Sequence, residues 1–338
     1  MSHTSDHDAQ ELTCMEVWGG NQIAESGVIM TGLDAWVFCQ PYQNAARGGD
    51  VYYMSSCATG RINRLLVADV SGHGDQVAAT ASHLRGLMRR FINHINQGKF
   101  IARMNEQFAL LADMGGFATA AVATFYAPTN ELLFSSAGHP PPLFYQSKRR
   151  VWMTLDAKTP GVFAARQSRL ATEETHDPDA PADLPLGLLD DSRYSEYCLP
   201  LQTGDLVLFY TDSLIECSGA DGQLLSTRGL LEIVRSLPVD RPEAFIAQLL
   251  ESLRTLHPNN LTEDDVTALL IRPNGLAPRM PFKNMFLGPW RLFGGLLASI
   301  LRLGRDAPWP EWSRRNLLGQ VYRPIREDMQ NGRSETHD

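Results

Sequence analysis

Strand-like runs in this chain come in blocks, and helical runs come in pairs between them. That order limits what the chain can fold into. "DAWVFCQ", "DVYYMSSC" and "RLLVADV" follow one another from Leu33 onward, rich in β-branched and aromatic residues. Turn chemistry separates them: PYQNAARGG joins the first two, and Ala58-Thr59-Gly60-Arg61 the next pair, as expected for neighbouring antiparallel strands. After Gly74 the period changes. Val77, Ala81, Leu84, Met88, Phe91, Ile92 and Ile95 recur three or four apart, one face of an amphipathic helix. Gly98 interrupts, and a second helix follows through Met104, Phe108 and Leu111 to Gly115-Gly116.

Strands then return as "FATAAVATFY" and "ELLFSSAG", joined by Ala127-Pro128-Thr129-Asn130, with shorter ones at "PLFY" and "VWMTL". Residues 156–183, rich in Pro, Asp and Ala, read as a loop. "YSEYCLPL" and "DLVLFYTD" are strands, 227–237 and 242–256 are helices, and "DVTALLIRP" is a last strand. Regular βαβα alternation is missing. The expectation is an α+β fold with two antiparallel sheets and helices outside them. It divides into a short, loose leader over 1–30, one domain over 31–273, and a tail over 274–338.

Composition narrows the function. Apolar residues make up 43% and charged residues 20% of 338, which is globular. The net charge of −8 argues against nucleic-acid binding. It is unevenly spread: the tail has ten Lys and Arg against six Asp and Glu, leaving about −12 on residues 1–273. Cys14, Cys39, Cys57, Cys198 and Cys217 are scattered, odd in number and without a CxxC pair. Reduced thiols in a cytoplasmic protein fit that better than a disulfide scaffold or zinc site. The polar, acidic start MSHTSDHDAQELT is not a signal peptide.

Aspartates fall where strands meet loops. Asp50 follows Gly48-Gly49, Asp69 ends "LLVA", Asp212 ends "LVLFYT", and Asp264-Asp265 precede "VTALLI". A lone Asp there is ordinarily a turn or cap residue. Four such ends brought together would make an acidic cluster that repels itself unless cations bind, and oxygen-only ligands suit Mg²⁺ or Mn²⁺.

The ordered set GGD, DVSGHG, AGHPPP, LPLG, GDLVLFYTD and TEDDVT, over about Leu33 to Pro273, resembles the SpoIIE/RsbU-type branch of the PPM (protein phosphatase 2C-like) metal-dependent Ser/Thr phosphatases. The resemblance implies an α-β-β-α sandwich and two Mn²⁺ or Mg²⁺ ions, the second weakly held. Carried over by motif, Asp69 corresponds to the acid bridging two metals, with the Val70 carbonyl nearby. Asp50 corresponds to a further ligand partly through water, and Asp212 and Asp264 to ligands of the first metal. Asp265 stays open as the alternative to Asp264. Gly72 and Gly74 let the backbone turn beside the ions. His73 and His139 are candidates either for direct catalysis or for support beside the site, and Arg47 for contact with substrate phosphate or for a solvated turn.

Three positions depart from the family pattern. Tyr53 replaces the second acid of GGDFYD, Ser213 replaces the Gly of TDG, and Gly49 stands where eukaryotic relatives carry a Glu ligand. None removes an expected core ligand. The expected activity is hydrolysis of phosphoserine or phosphothreonine on a signalling protein by a metal-activated water. By resemblance the substrate class includes STAS-type anti-anti-sigma factors in partner-switching circuits. The alternative is a weak or inactive phosphatase-fold binding module.

In the tail, 285–303 is apolar but carries Pro289, Arg291, Gly294, Gly295 and Arg302, a poor spanning helix. It reads as a helix docked on the domain or on a partner, or as a peripheral membrane-surface contact. About thirty residues precede the domain, too few for the sensor modules that the family often carries.

Overall fold

A computed structural model of the chain describes residues 10–11, 17–56, 61–71, 75–91, 97–111, 116–164, 182–189 and 192–276. Among these described residues, fourteen strands make two seven-stranded sheets. The first contains β1 (Gln10–Glu11), β3 (Ala24–Met30), β4 (Leu33–Gln40), β14 (Val266–Pro273), β13 (Leu206–Tyr210), β9 (Leu143–Gln146) and β10 (Val151–Thr154), in that spatial order. The second runs β11 (Phe163–Ala164), β12 (Tyr197–Pro200), β8 (Glu131–Ala137), β7 (Ala118–Tyr126), β6 (Ile62–Val70), β5 (Val51–Ser56) and β2 (Val17–Gly20). Pairing is antiparallel throughout both sheets, except that β1 lies parallel to β3. Helices α1 (Asp75–Phe91) and α2 (Gln97–Leu111) pack on the second sheet, and α3 (Ser226–Ser236) and α4 (Pro242–Leu256) on the first.

Period-2 alternation divides each strand between two cores. On β6, Leu65 and Val67 face the gap between the sheets, while Leu66, Ala68 and Val70 face α1 and α2. On β13, Val207 and Phe209 enter the gap, and Leu206, Leu208 and Tyr210 meet α3 and α4. Both faces of each sheet are covered, which is why central strands read as near-continuous apolar runs. The result is the four-layer α-β-β-α sandwich expected from the sequence.

Three expectations need correction. The loose leader over 1–30 fails for 17–30, where β2 and β3 each join a different sheet. The alternation in "AESGVIM" is partly exposed and broken by Gly27, so it reads as polar leader until a partner strand is present. The first presumed hairpin is also wrong: β4 and β5 lie in different sheets, and PYQNAARGG crosses between them. A turn-rich linker looks alike whether it joins neighbours or changes layers. Gly98 lies in the first turn of α2 and does not interrupt a longer helix. The expected helical residues Ile92 and Ile95 and the whole segment 285–303 lie outside the described residues. Among the described residues no helix is long and apolar enough to cross a membrane.

Candidate metal centre

The apolar filling of the inter-sheet gap stops at one end. Alternation there carries polar residues onto the same face. Asp69 follows Leu65 and Val67 on β6, Thr119 precedes Ala121 and Ala123 on β7, Thr211 follows Val207 and Phe209, and Thr267 precedes Leu269 and Ile271. On the neighbouring strand Val51 faces Ala68, so Asp50, one step further, comes opposite Asp69. Like charges facing each other across a ladder repel.

The electrostatics reflect this crowding. Burial, with Asp69 and Asp265 adding repulsion, raises Asp50 well above the usual carboxylate range, although Thr211 and Thr267 hydroxyls oppose the rise. Burial also pushes Asp69 up to about 7, helped by Asp212, Asp264, Asp265 and Glu216. Asp212 and Asp264 are raised chiefly by burial, opposed by backbone N–H groups, and Asp212 also raises Asp264. The Thr211 hydroxyl donates to Asp50 Oδ2 at 2.8 Å and accepts from Thr267 N at 3.1 Å. Asp50, though 2% exposed, is therefore held in one orientation.

The adjacent acids 264 and 265 have separate surroundings. Asp265 accepts backbone N–H groups from Tyr42 at 2.6 Å, Gly49 at 2.5 Å and Asp50 at 3.2 Å. Its carboxylate thus ties down the crossing loop that delivers Asp50. Glycine is needed for that approach: a Cβ on Gly48 would sit 2.6 Å from the Asp265 carboxylate atoms. A Cβ on Gly49 would meet Val77 at 2.8 Å and the Val70 carbonyl at 3.1 Å. Among the described residues, the Asp264 carboxylate accepts the Asp265 N–H alone, at 2.7 Å.

Sequence reasoning missed Glu216. It lies one turn beyond Asp212 and is raised by burial, with Asp212 and Asp264 adding to the rise. The four-residue spacing in "DSLIE" was the available signal. Thr211 and Thr267 were legible only as strand residues, because their role needs both sheets in place.

His139 is buried beside the cluster, its Nδ1 2.8 Å from the hydroxyl of Thr119, the ladder partner of Asp69. Burial lowers it to about 4, with the Tyr210 backbone opposing, so the ring is neutral at physiological pH. Gly138, at φ +67°, lets Pro185 of LPLG pack against the AGH turn, joining two motifs distant in sequence. Arg47 is exposed, and among the described residues it makes no ion pair. Gly72 and His73 lie outside the described residues.

The donor set is all oxygen, carries several negative charges and repels itself, which fits hard divalent cations. Among the described residues, however, no three His, Cys, Asp or Glu side chains close round one point as a formed ligand shell.

Comparison with known proteins bears on the fold and the family. The family Stage II sporulation protein E (SpoIIE) matches residues 60–274. Phosphoserine phosphatase RsbU of Bacillus subtilis (strain 168) is 22% identical over 209 residues, 62% of this chain and 55% of that protein. The match therefore spans about half the length of that relative. The RsbU and RsbW domains of Rv1364c from Mycobacterium tuberculosis superpose with a TM-score of 0.56 at 20% identity, covering 85% of this chain and 80% of that one. The PP2C phosphatase domain of SpoIIE from Bacillus subtilis, with a fragment of its regulatory domain, gives 0.54 at 14%, covering 77% and 64%. At such identities the structural likeness speaks for the fold. With the family match over most of the described domain, the chain belongs to the SpoIIE family.

Proposed function

We propose that the chain is a Mn²⁺- or Mg²⁺-dependent phosphatase that hydrolyses phosphoserine or phosphothreonine on a signalling protein. One observation carries this reading: acids from four separate strand ends share one electrostatic field where the inter-sheet core stops. Divalent cations held there would supply activation of a water and positive charge against phosphoryl oxygens.

Asp69, with the Val70 carbonyl nearby, Asp212 and Asp264 would hold the ions, and Asp50 would be a further ligand, partly through water. Glu216 lies close enough in the field to assist. Thr211 orients Asp50, and Asp265 holds its loop. Asp264, not Asp265, is the proposed ligand, because the Asp265 oxygens are occupied by backbone N–H groups. His139, neutral and paired with Thr119, serves to fix the strand end beside Asp69 and is not the proton source.

The relative named phosphoserine phosphatase supports the substrate class. A STAS-type anti-anti-sigma factor is the proposed substrate, and the 285–303 segment a proposed contact with a partner or membrane surface. The proposed domain division keeps the tail separate, with the phosphatase domain reaching back to include β2 and β3.

The test is p-nitrophenyl phosphate hydrolysis with Mn²⁺ by wild type, Asp69→Asn and Asp212→Asn. Loss in both variants is expected. No Mn²⁺-dependent rate in folded wild type refutes the enzyme, and equal rates in all three refute the site.

A further inference from the structure

One buried side chain outside the acid cluster is bonded to the loop that delivers Asp50. β2 is pressed against β5: Gly20 pairs with Tyr52, and a Cβ on Gly19 would sit 2.5 Å from the Tyr52 carbonyl oxygen. The chain therefore leaves β2 beside the start of β5, where Asp50 enters. Asn21, the next residue, is 4% exposed. Its carbonyl accepts from Gly48 N at 2.8 Å, and its Nδ2 donates to Gly48 O at 2.9 Å and to Ala78 O at 3.2 Å. One residue thus holds both backbone polar groups of Gly48.

Those bonds join three segments. Gly48 lies two residues before Asp50, and Ala78 lies in the first turn of α1, the helix that follows the strand carrying Asp69. The same turn meets the loop a second time, since Gly49 packs on Val77 with no room for a Cβ. Asp265 grips Gly49 N and Asp50 N from the side of the first sheet. Asn21 grips Gly48 from the end of β2, in the second. Glycine loses more backbone freedom on folding than any other residue, and two stand here in succession. The direction in which Asp50 leaves them needs an outside hold.

Main-chain pairing alone could satisfy Gly48, as it does along any ladder. The Asn21 side chain adds a donor that reaches α1 at the same time. Bonding Gly48 O and Ala78 O to one nitrogen sets the separation between the loop of Asp50 and the helix that continues from the strand of Asp69. Ligand constellations tolerate displacements of only about 0.5 Å. Groups one step behind metal ligands govern affinity by about 10–100-fold. Resting on the metal-dependent phosphatase reading, we infer that Asn21 is a positioning residue for the cation centre. It holds the Gly48–Asp50 loop against the first turn of α1 and thereby sets how tightly the centre takes a divalent cation. β2 then serves the site as well as the sheet.

The test measures binding of Mn²⁺ alone. Free Mn²⁺ is read by electron paramagnetic resonance as it is titrated into the full chain. Asn21→Ala removes the side-chain donors, and Asn21→Leu removes them while keeping the volume. Each should bind Mn²⁺ about tenfold more weakly than wild type. Asn63→Ala controls for lost stability: Asn63 is as deeply buried and donates to Thr31 O at 2.8 Å. It stands six residues before Asp69, about 20 Å away along β6. Its removal should leave Mn²⁺ affinity within about twofold. In an Asp50→Ala background, Asn21→Ala should change the affinity by less than about twofold, because the ligand it positions is gone. Three results overturn the inference: unchanged affinity in both Asn21 variants, an equal loss in Asn63→Ala, or the full loss persisting without Asp50. A second arm needs no metal. Hydrogen exchange at the Gly49 and Asp50 amides should accelerate about tenfold or more in Asn21→Ala, and unaltered exchange there overturns the hold on the loop. If folded wild type binds no Mn²⁺, the metal-dependent reading falls, and the exchange arm still decides whether Asn21 holds the loop.

Discussion

Asp264 and Asp265 are neighbours with the same charge, yet the structure assigns their removal opposite effects on stability. Asp265 accepts two short backbone hydrogen bonds and one longer one from the loop bearing Gly48, Gly49 and Asp50. A hydrogen bond to a charged group contributes about 1.5–3 kcal/mol, so two strong ones amount to roughly 3–6 kcal/mol before offsets. Relief of repulsion with Asp50 and Asp69, and water reaching the partly buried loop, return some of this. Asp265→Ala should therefore lose about 2–4 kcal/mol, and Asp265→Asn, with one carbonyl oxygen left, about 1–2. Asp264 is different. Its folded carboxyl is raised by burial and by Asp212 and Asp265, so its ionised form opposes folding at neutral pH. The group is exposed, which screens the gain, and Asp264→Asn should be within about 1 kcal/mol of wild type, on the stable side. Urea unfolding with EDTA present, followed by tryptophan fluorescence, measures both. At a slope of about 2–3 kcal/mol/M, Asp265→Ala should shift the midpoint down by about 1 M, and Asp264→Asn hardly at all. Asp264→Asn should nevertheless lose Mn²⁺-dependent hydrolysis. Equal stability in both variants, or a larger loss at position 264, refutes the assignment of Asp265 as the brace.

Other outcomes follow from the same geometry. Asp69 is raised to about 7 against an unfolded value of 3.8, so the folded state holds the extra proton between these values. The penalty is full above about pH 7 and disappears as pH falls towards 4. Metal-free protein should thus show a rising Tm from pH 8 to 5.5 by scanning fluorimetry, and a Tm flat over that window contradicts the crowded cluster. Mn²⁺ at pH 8 should recover much of the same rise. Gly48→Ala places a Cβ against the Asp265 carboxylate and should cost about 1–3 kcal/mol in urea, with activity falling too; a silent substitution argues against the close approach. Asn105→Ala leaves Gly187 N and Leu189 O without their partner and should cost about 1–3 kcal/mol, with amide exchange at Gly187 accelerated beyond that of the remaining domain.

Much of this protein is local, and local information is legible in one chain. Alternation in "LLVADV" and "LVLFYTD", the three- and four-residue spacing from Val77 to Phe91, and the turn Ala127–Asn130 each specify an element through its own periodicity. They also place Asp50, Asp69, Asp212 and Asp264 at strand ends, which suffices to suspect a cation site. What the chain alone leaves undecided depends on contacts between distant segments. Residues 17–30 become strands only when β5 and β4 offer their edges, since their own pattern is weak. Whether PYQNAARGG makes a hairpin or changes sheets depends on which partner each strand finds. The division of labour between Asp264 and Asp265 is set by a loop more than two hundred residues away that donates its N–H groups to one carboxylate alone. Glu216 and the Thr211–Asp50 bond likewise arise only where two sheets meet, because a charge or hydroxyl acquires its role from what faces it across the gap.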